Sequence, residues 1–222
     1  MMTIMLLPVS PLPAAAADCS AAATSGIDWS RCDRRNLMLS GSDLKQANLS
    51  GTDFGSTDLR EAEMTSANLE RAKLERASLA GAIADEADFT KIEGYRTDFS
   101  HVSAKGASFR GAELQRAIFA DAELTGASFV KAEAGRATFS GADLGANDFS
   151  FANLARADFS GTDIIGPLDF TSAYMFLTRI EGTDLSGAKG LVQSQVDLAC
   201  GNDATRLPAG LTKPKSWPCG AD

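Results

Sequence analysis

From Leu39 to Ile164 every fifth residue belongs to one apolar register of 26 positions: eleven Leu, nine Phe, Met64, Ile164, three Ala and one Gly. Two residues before each of these centres stands a smaller side chain, Ala at 17 of the 26. The residue just before the centre is usually polar, as in Asp43, Asn48, Asp53, Asp58, Asn68, Asp88 and Asp98. The unit reads A-[D/N]-[L/F]-x-x, for example Ala47-Asn48-Leu49-Ser50-Gly51. A period of five fits neither a helix at 3.6 nor a flat strand at 2. It requires a backbone that turns a corner once per repeat, which is a solenoid.

Within that register Phe recurs at every tenth residue from Phe89 to Phe159, separated by the smaller centres Gly94, Ala104, Leu114, Leu124, Ala134, Leu144 and Leu154. With four pentads per coil, Phe falls on two opposite sides and small residues on the other two. A narrow tube filled at native density needs that compensation. A three-sided coil would scatter Phe over every side. Earlier coils carry Leu in the same columns, so the tube is expected to change girth near residue 85.

The repeat resembles the pentapeptide-repeat family over about residues 37–188. That resemblance implies an all-β solenoid, a right-handed quadrilateral β-helix of about seven coils, on the order of 35 Å long at ~4.8 Å per layer. Residues 18–36 read as an N-terminal cap, with Trp29 and the basic residues Arg31, Arg34 and Arg35. At Ile165-Gly166-Pro167 the register slips by one, so that the next centres are Phe170, Met175, Ile180 and Leu185, a bulged corner over 165–169. Residues 189–222 read as a C-terminal cap: a short helix within 191–199 lying across the last coil, then a tail.

Residues 1–17 are apolar, proline-rich and uncharged, and end in an Ala-x-Ala step before Asp18. They are expected to be an export signal, and the protein periplasmic or secreted. Four cysteines flank the repeats. If the termini sit at opposite ends of a rod, only Cys19–Cys32 and Cys200–Cys219 lie within disulfide reach of about 7 Å between Cα atoms, and paired cysteines suit an oxidising compartment.

A formal charge of −8 argues against direct nucleic-acid binding. No apolar run approaches a membrane span. Nothing resembles an active site, a metal site or a cofactor motif, and the single imidazole, His101, falls at an outward corner. A non-enzymatic, monomeric scaffold or binding module of the cell envelope is therefore expected, its partner a protein or an anionic polymer. The resemblance implies an alternative, a cytosolic DNA mimic that binds DNA gyrase through an acidic surface. The acidic column available for that, Asp43, Glu63, Glu123, Asp143 and Asp163, is interrupted by Ile83, Ser103 and Lys105.

The outward residues that recur with period twenty are the candidate site. Arg76, Arg96, Arg116, Arg136 and Arg156 stack along one corner, and Glu93, Glu113 and Glu133 stand three residues earlier. One expectation is a ladder of salt bridges between these two columns, because stacked guanidinium groups repel unless carboxylates interleave. The other is a strip that holds an extended anionic partner through forked Arg contacts.

Overall fold

The computed structural model describes residues 17–220. One parallel β-bridge forms per pentad, at the residue before each centre, and its partner lies twenty residues on. One column runs Asp33, Asp53, Lys73, Glu93, Glu113, Glu133, Asn153. Among the described residues bridges extend to two residues only at β1 (Asp143–Leu144) and β2 (Asp163–Ile164). Twenty residues per layer and one bridge every five residues give a four-sided coil.

The pentad 47–51 shows why the repeat takes this form. Ala47 N–H closes the corner on Leu44 C=O (3.1 Å), Asn48 N–H donates to Ile27 C=O of the coil before (2.8 Å), and Leu49 N–H donates to Asn68 C=O of the coil after (2.7 Å). Gly51 N–H donates to Glu70 C=O (2.8 Å). The fifth donor, Ser50 N–H, points outward and is received by the Asn48 side chain (3.4 Å). Every backbone donor is thus accounted for, and the Asp or Asn before the centre is an Asx acceptor for its own turn. Asp58, Asp88, Asp98, Asp148 and Asp158 do the same at 2.8–3.1 Å.

The residue two after a centre sits in the left-handed region at most corners, as at Gln46 (φ 55°), Arg116 (φ 61°) and His101 (φ 54°). With only the third turn residue left-handed, the corner has the type II pattern.

Inside, Phe89, Phe109, Phe129 and Phe149 stack on one side at 4.8–4.9 Å, and Phe99, Phe119, Phe139 and Phe159 on the opposite side at 4.7–5.1 Å. The two stacks meet edge to face at 5.4–5.8 Å, geometries that add to area burial. At two of the small centres the residue two before is large: Ile92 beside Gly94 and Val102 beside Ala104, all four buried. Inward polar residues donate to carbonyls of the preceding coil, as Thr52 does to Trp29 (2.6 Å) and Asn147 to Leu124 (2.6 Å).

The ladder starts earlier than the apolar pattern. Bridges begin at Asp28, so 28–36 already belong to the coils rather than to a separate cap. Centres 29 and 34 are Trp and Arg, which breaks the Leu/Phe rhythm without breaking the backbone period. Trp29 is buried and the Arg34 guanidinium lies 3.8 Å over its ring, closing the end of the core. Arg34 also donates to Ala21 C=O (2.9 Å).

At the slip, bridge spacing becomes twenty-one (Asp148 with Asp169, Asn153 with Tyr174, Asp158 with Arg179), and Ile165 is left 72% exposed above a notch of ≈ 320 Å³. The C-terminal helix, α1 (Gln193–Val196), does not lie across the last coil. It is built into it, between Lys189, which bridges Asp169, and Cys200, which bridges Arg179. Gln195 anchors it by donating to Phe170 and Ala173 carbonyls, both at 2.8 Å. The end is covered instead by the tail: Leu207, Leu211 and Trp217 pack on the core, and the Trp217 indole donates to Ala199 C=O (2.7 Å).

Cys19 pairs with Cys32 and Cys200 with Cys219, each with Cα atoms 5.4 Å apart. The expected export segment lies, but for Ala17, outside the described residues. Among the described residues no helix is long and apolar enough to cross a membrane.

Candidate functional site

Each Arg of the column occupies the left-handed corner position, with φ of 57°, 55°, 61°, 59° and 59° from Arg76 to Arg156. All five side chains are exposed. The corner therefore forms a rail of guanidinium groups, one per coil, fixed by a backbone whose N–H groups bond from coil to coil: Arg96 to Gln115 (3.1 Å), Arg116 to Gly135 (3.0 Å), Arg136 to Ala155 (2.8 Å).

The expected salt-bridge ladder does not form. Among the described residues no ion pair joins Arg76, Arg96, Arg116 or Arg136 to Glu93, Glu113 or Glu133. The two columns border one surface, since Arg76 and Glu93 line a shallow depression together, yet no ion pair closes between Arg76 and Glu93. The corner base Arg71 pairs with a carboxylate, its chain neighbour Glu70 (2.8 Å). Glu133 instead accepts from the Asn153 amide (2.8 Å).

Bases placed one residue earlier, just after a centre, behave differently. Lys45 pairs with Glu63, Lys105 with Glu123 at 2.5 Å, Arg35 with Asp33 and Asp53, and Arg60 with Asp58 at 2.7 Å. These contacts raise the Lys45 and Lys105 ammonium pKa values above their ordinary range. The Arg60 hydrogen bond holds the Asp58 carboxyl below its ordinary value. Two carboxylates of the acidic column, Glu63 and Glu123, are thereby neutralised.

The rail has aromatic company that the pentad spacing does not reveal. Arg96 lies 5.3 Å from the Tyr95 ring and Arg156 6.0 Å from Phe176. Tyr174 and Phe176, 50% and 39% exposed, stack on each other at 6.3 Å. They come after the register slip, so only a count shifted by one aligns them with Asn153 and Ala155. A shallow groove of ≈ 330 Å³ runs over Gly135 and Ala155, bounded by Gln115, Phe176 and the rail residues Arg116, Arg136 and Arg156. Among the described residues no three His, Cys, Asp or Glu side chains gather in a metal-holding group. His101 stands exposed at its corner.

A family model described as Pentapeptide repeats matches eight copies, over residues 39–76, 72–111, 95–130, 107–145 and 135–166. Among solved structures the chain is similar to HetL, a pentapeptide repeat protein involved in heterocyst differentiation regulation from the cyanobacterium Nostoc sp. strain PCC 7120. The identity is 25% and the TM-score 0.61, over 85% of this chain and 86% of that one. It is similar also to QnrB1, a plasmid-mediated fluoroquinolone resistance protein, at 20% identity and TM-score 0.33, over 83% of this chain and 84% of that one. A pentapeptide repeat protein of the Arabidopsis thaliana thylakoid lumen aligns at 26% identity and TM-score 0.23, over 50% of this chain and 64% of that one. No curated protein matches the chain.

Proposed function

Because this chain belongs to the pentapeptide-repeat family, whose members fold as right-handed quadrilateral β-helices and are generally non-enzymatic, we propose that it is a rigid binding scaffold. It works as a monomer in an oxidising compartment of the cell envelope and offers its Arg rail to a protein or polyanionic partner. The observation that carries this reading is the set of corner guanidinium groups, Arg76, Arg96, Arg116 and Arg136, that meet no carboxylate of their own chain among the described residues. A hydrogen-bonded rod fixes the backbone from which these side chains project, so a partner has only side-chain freedom left to restrict. The cysteine pairs support the compartment. Acidic mimicry of nucleic acid is the weaker reading, since Lys45 and Lys105 neutralise part of the column it would use.

The test is photo-crosslinking inside the source cells from position 115 of the full-length protein, with and without Arg96, Arg116 and Arg136 changed together to Gln. The expected result is an adduct recovered outside the cytoplasm, on a chain four hydrogens lighter than its reduced form, and lost in the triple variant. An adduct indifferent to the three Arg, or a reduced cytoplasmic protein, overturns the proposal.

A further inference from the structure

The C-terminal end of the rod carries a chemistry of its own, independent of what the rail binds. Where the tail returns to the last coil lies a cavity of ≈ 590 Å³, lined among others by Arg156, Leu177, Arg179, Glu181 and both members of the Cys200–Cys219 pair. The disulfide is thus part of a cavity wall and is not sealed in the core. Its two halves are placed differently. Cys200 is 4% exposed and bridges Arg179 in the backbone ladder, so it is fixed in the coil. Cys219 is half-buried and belongs to the tail, beyond Arg206, the last bridged residue.

Few other contacts hold the tail closed. Thr212 N–H donates to the Gln193 side chain (2.9 Å), whose amide donates back to Thr212 C=O (3.0 Å). Lys213 donates to Asp203 C=O (2.6 Å). The Trp217 ring lies directly on Gly201, where a Cβ would collide with it. Thr212 and Lys213 are exposed, so water competes for their hydrogen bonds. The disulfide closes a separation of 19 residues, which in the chain-entropy account raises the closed population of the tail about a hundredfold. The covalent link is therefore the main restraint on the tail, and a thiolate that enters the cavity meets its more accessible sulfur, Cys219.

We propose that Cys219 is a thiol-exchange site for a low-molecular-weight thiol, and that exchange there releases the tail from the last coil. The sulfur of the attacking thiolate bonds to Cys219 Sγ, the bond between the two cysteine sulfurs breaks, and its electron pair leaves on Cys200 Sγ. Cys200 then takes up the proton that the thiol has lost. It does so beside the Arg179 guanidinium, shared with Glu181 at 3.3 Å, a cationic neighbour that favours a departing thiolate. One disulfide is consumed and one is formed, so no co-reactant beyond the thiol is required. A second thiol attacks the mixed disulfide through its non-protein sulfur, leaving Cys219 as a thiol and the two small thiols joined as a disulfide. Release bares the end of the core that Leu207, Leu211 and Trp217 cover.

The experiment incubates the oxidised full chain with glutathione at mildly alkaline pH without denaturant, quenches with iodoacetamide and maps the cysteines by peptide mass spectrometry. The expected product carries glutathione on Cys219 and the alkyl group on Cys200, and forms at a rate proportional to glutathione concentration. Glutathione on Cys200 instead, a rate independent of thiol concentration, or reaction only in denaturant each overturns the site. Hydrogen exchange reads the release. Amides of 207–217 should exchange about a hundredfold faster in the glutathione-bearing protein, while those of coils 37–164 keep their protection. Changing Cys200 and Cys219 together to Ser should reproduce this pattern without any thiol. Tail amides as protected in both as in the oxidised parent overturn the release.

Discussion

On the acidic side of the rod Lys45 reaches Glu63 and Lys105 reaches Glu123, each from the residue just after a centre to the residue just before the centre one coil on. On the opposite side Arg76, Arg96, Arg116 and Arg136 stand one residue further along their pentads and, among the described residues, reach no carboxylate. Core, backbone ladder and supply of Glu are shared, so the difference is one of position within the turn. A base just after the centre still projects from the flat of the coil, beside the acidic strand position. A base in the left-handed corner projects from the edge. Arg110 obeys the same logic: it stands just after Phe109, but Ser108 and Ser128 occupy the positions where a carboxylate would meet it. Position within a five-residue unit therefore decides whether a base can reach the acidic strand position of the next coil; Arg71, at its corner, meets only its chain neighbour Glu70.

The harshest way to break this comparison is to remove what the two sides share. Phe119→Ala takes a fully buried ring out of both the stacked and the edge-to-face contacts. It should cost about 3–5 kcal/mol, read from urea unfolding, and disturb both sides alike. An effect confined to one side would mean that the coils are not a continuous core.

Acid sharpens the comparison next. Arg35 holds the Asp33 carboxyl down to about 2, and Arg60 and Thr171 lower Asp58 and Asp169. Folded values below the unfolded value mean that the unfolded chain takes up protons first. Stability from these groups is complete above the unfolded carboxylate range and is lost as pH falls from about 4 towards 2. The melting temperature should drop across that window, and Asp58→Asn should flatten the drop. A variant as acid-sensitive as the parent would remove Asp58 from the account.

Smaller effects separate the sides themselves. Lys105→Gln should lower the urea midpoint slightly at low salt and not at high salt, and Arg116→Gln should leave it unchanged at both. Equal losses would show that corner bases are paired after all. Gln115→Lys places a base just after a centre on the Arg side, where it should meet Glu133 and gain a few tenths of a kcal/mol. A gain abolished by Glu133→Gln would confirm the positional rule, and no gain would contradict it.

Much of the fold is legible in the chain because burial acts on every fifth residue. The Phe alternation maps directly onto two opposed stacks, and Asp or Asn before the centre reads as a local acceptor, as Asn48 and Asp58 prove to be. What escapes is anything that keeps the backbone period while breaking the apolar one. Trp29 and Arg34 stand at centres, yet their side chains hide the first coil from a pattern search. The helix at 193–196 replaces a corner without ending the ladder. The site is legible as two columns and not as a relation between them, because linear spacing carries no sign of φ. Tyr174 and Phe176 fall into line with the rail only once the one-residue slip is counted.

The most direct test of the claim that Arg76, Arg96, Arg116 and Arg136 are uncommitted is a pair of double-mutant cycles on folding stability at low salt. One cycle removes Lys105 and Glu123, the other Arg136 and Glu133. The first should give a favourable coupling that shrinks as salt is added, and the second a coupling near zero at every salt concentration. Comparable couplings in the two cycles would mean that the rail already answers to its own glutamates, and would contradict the account.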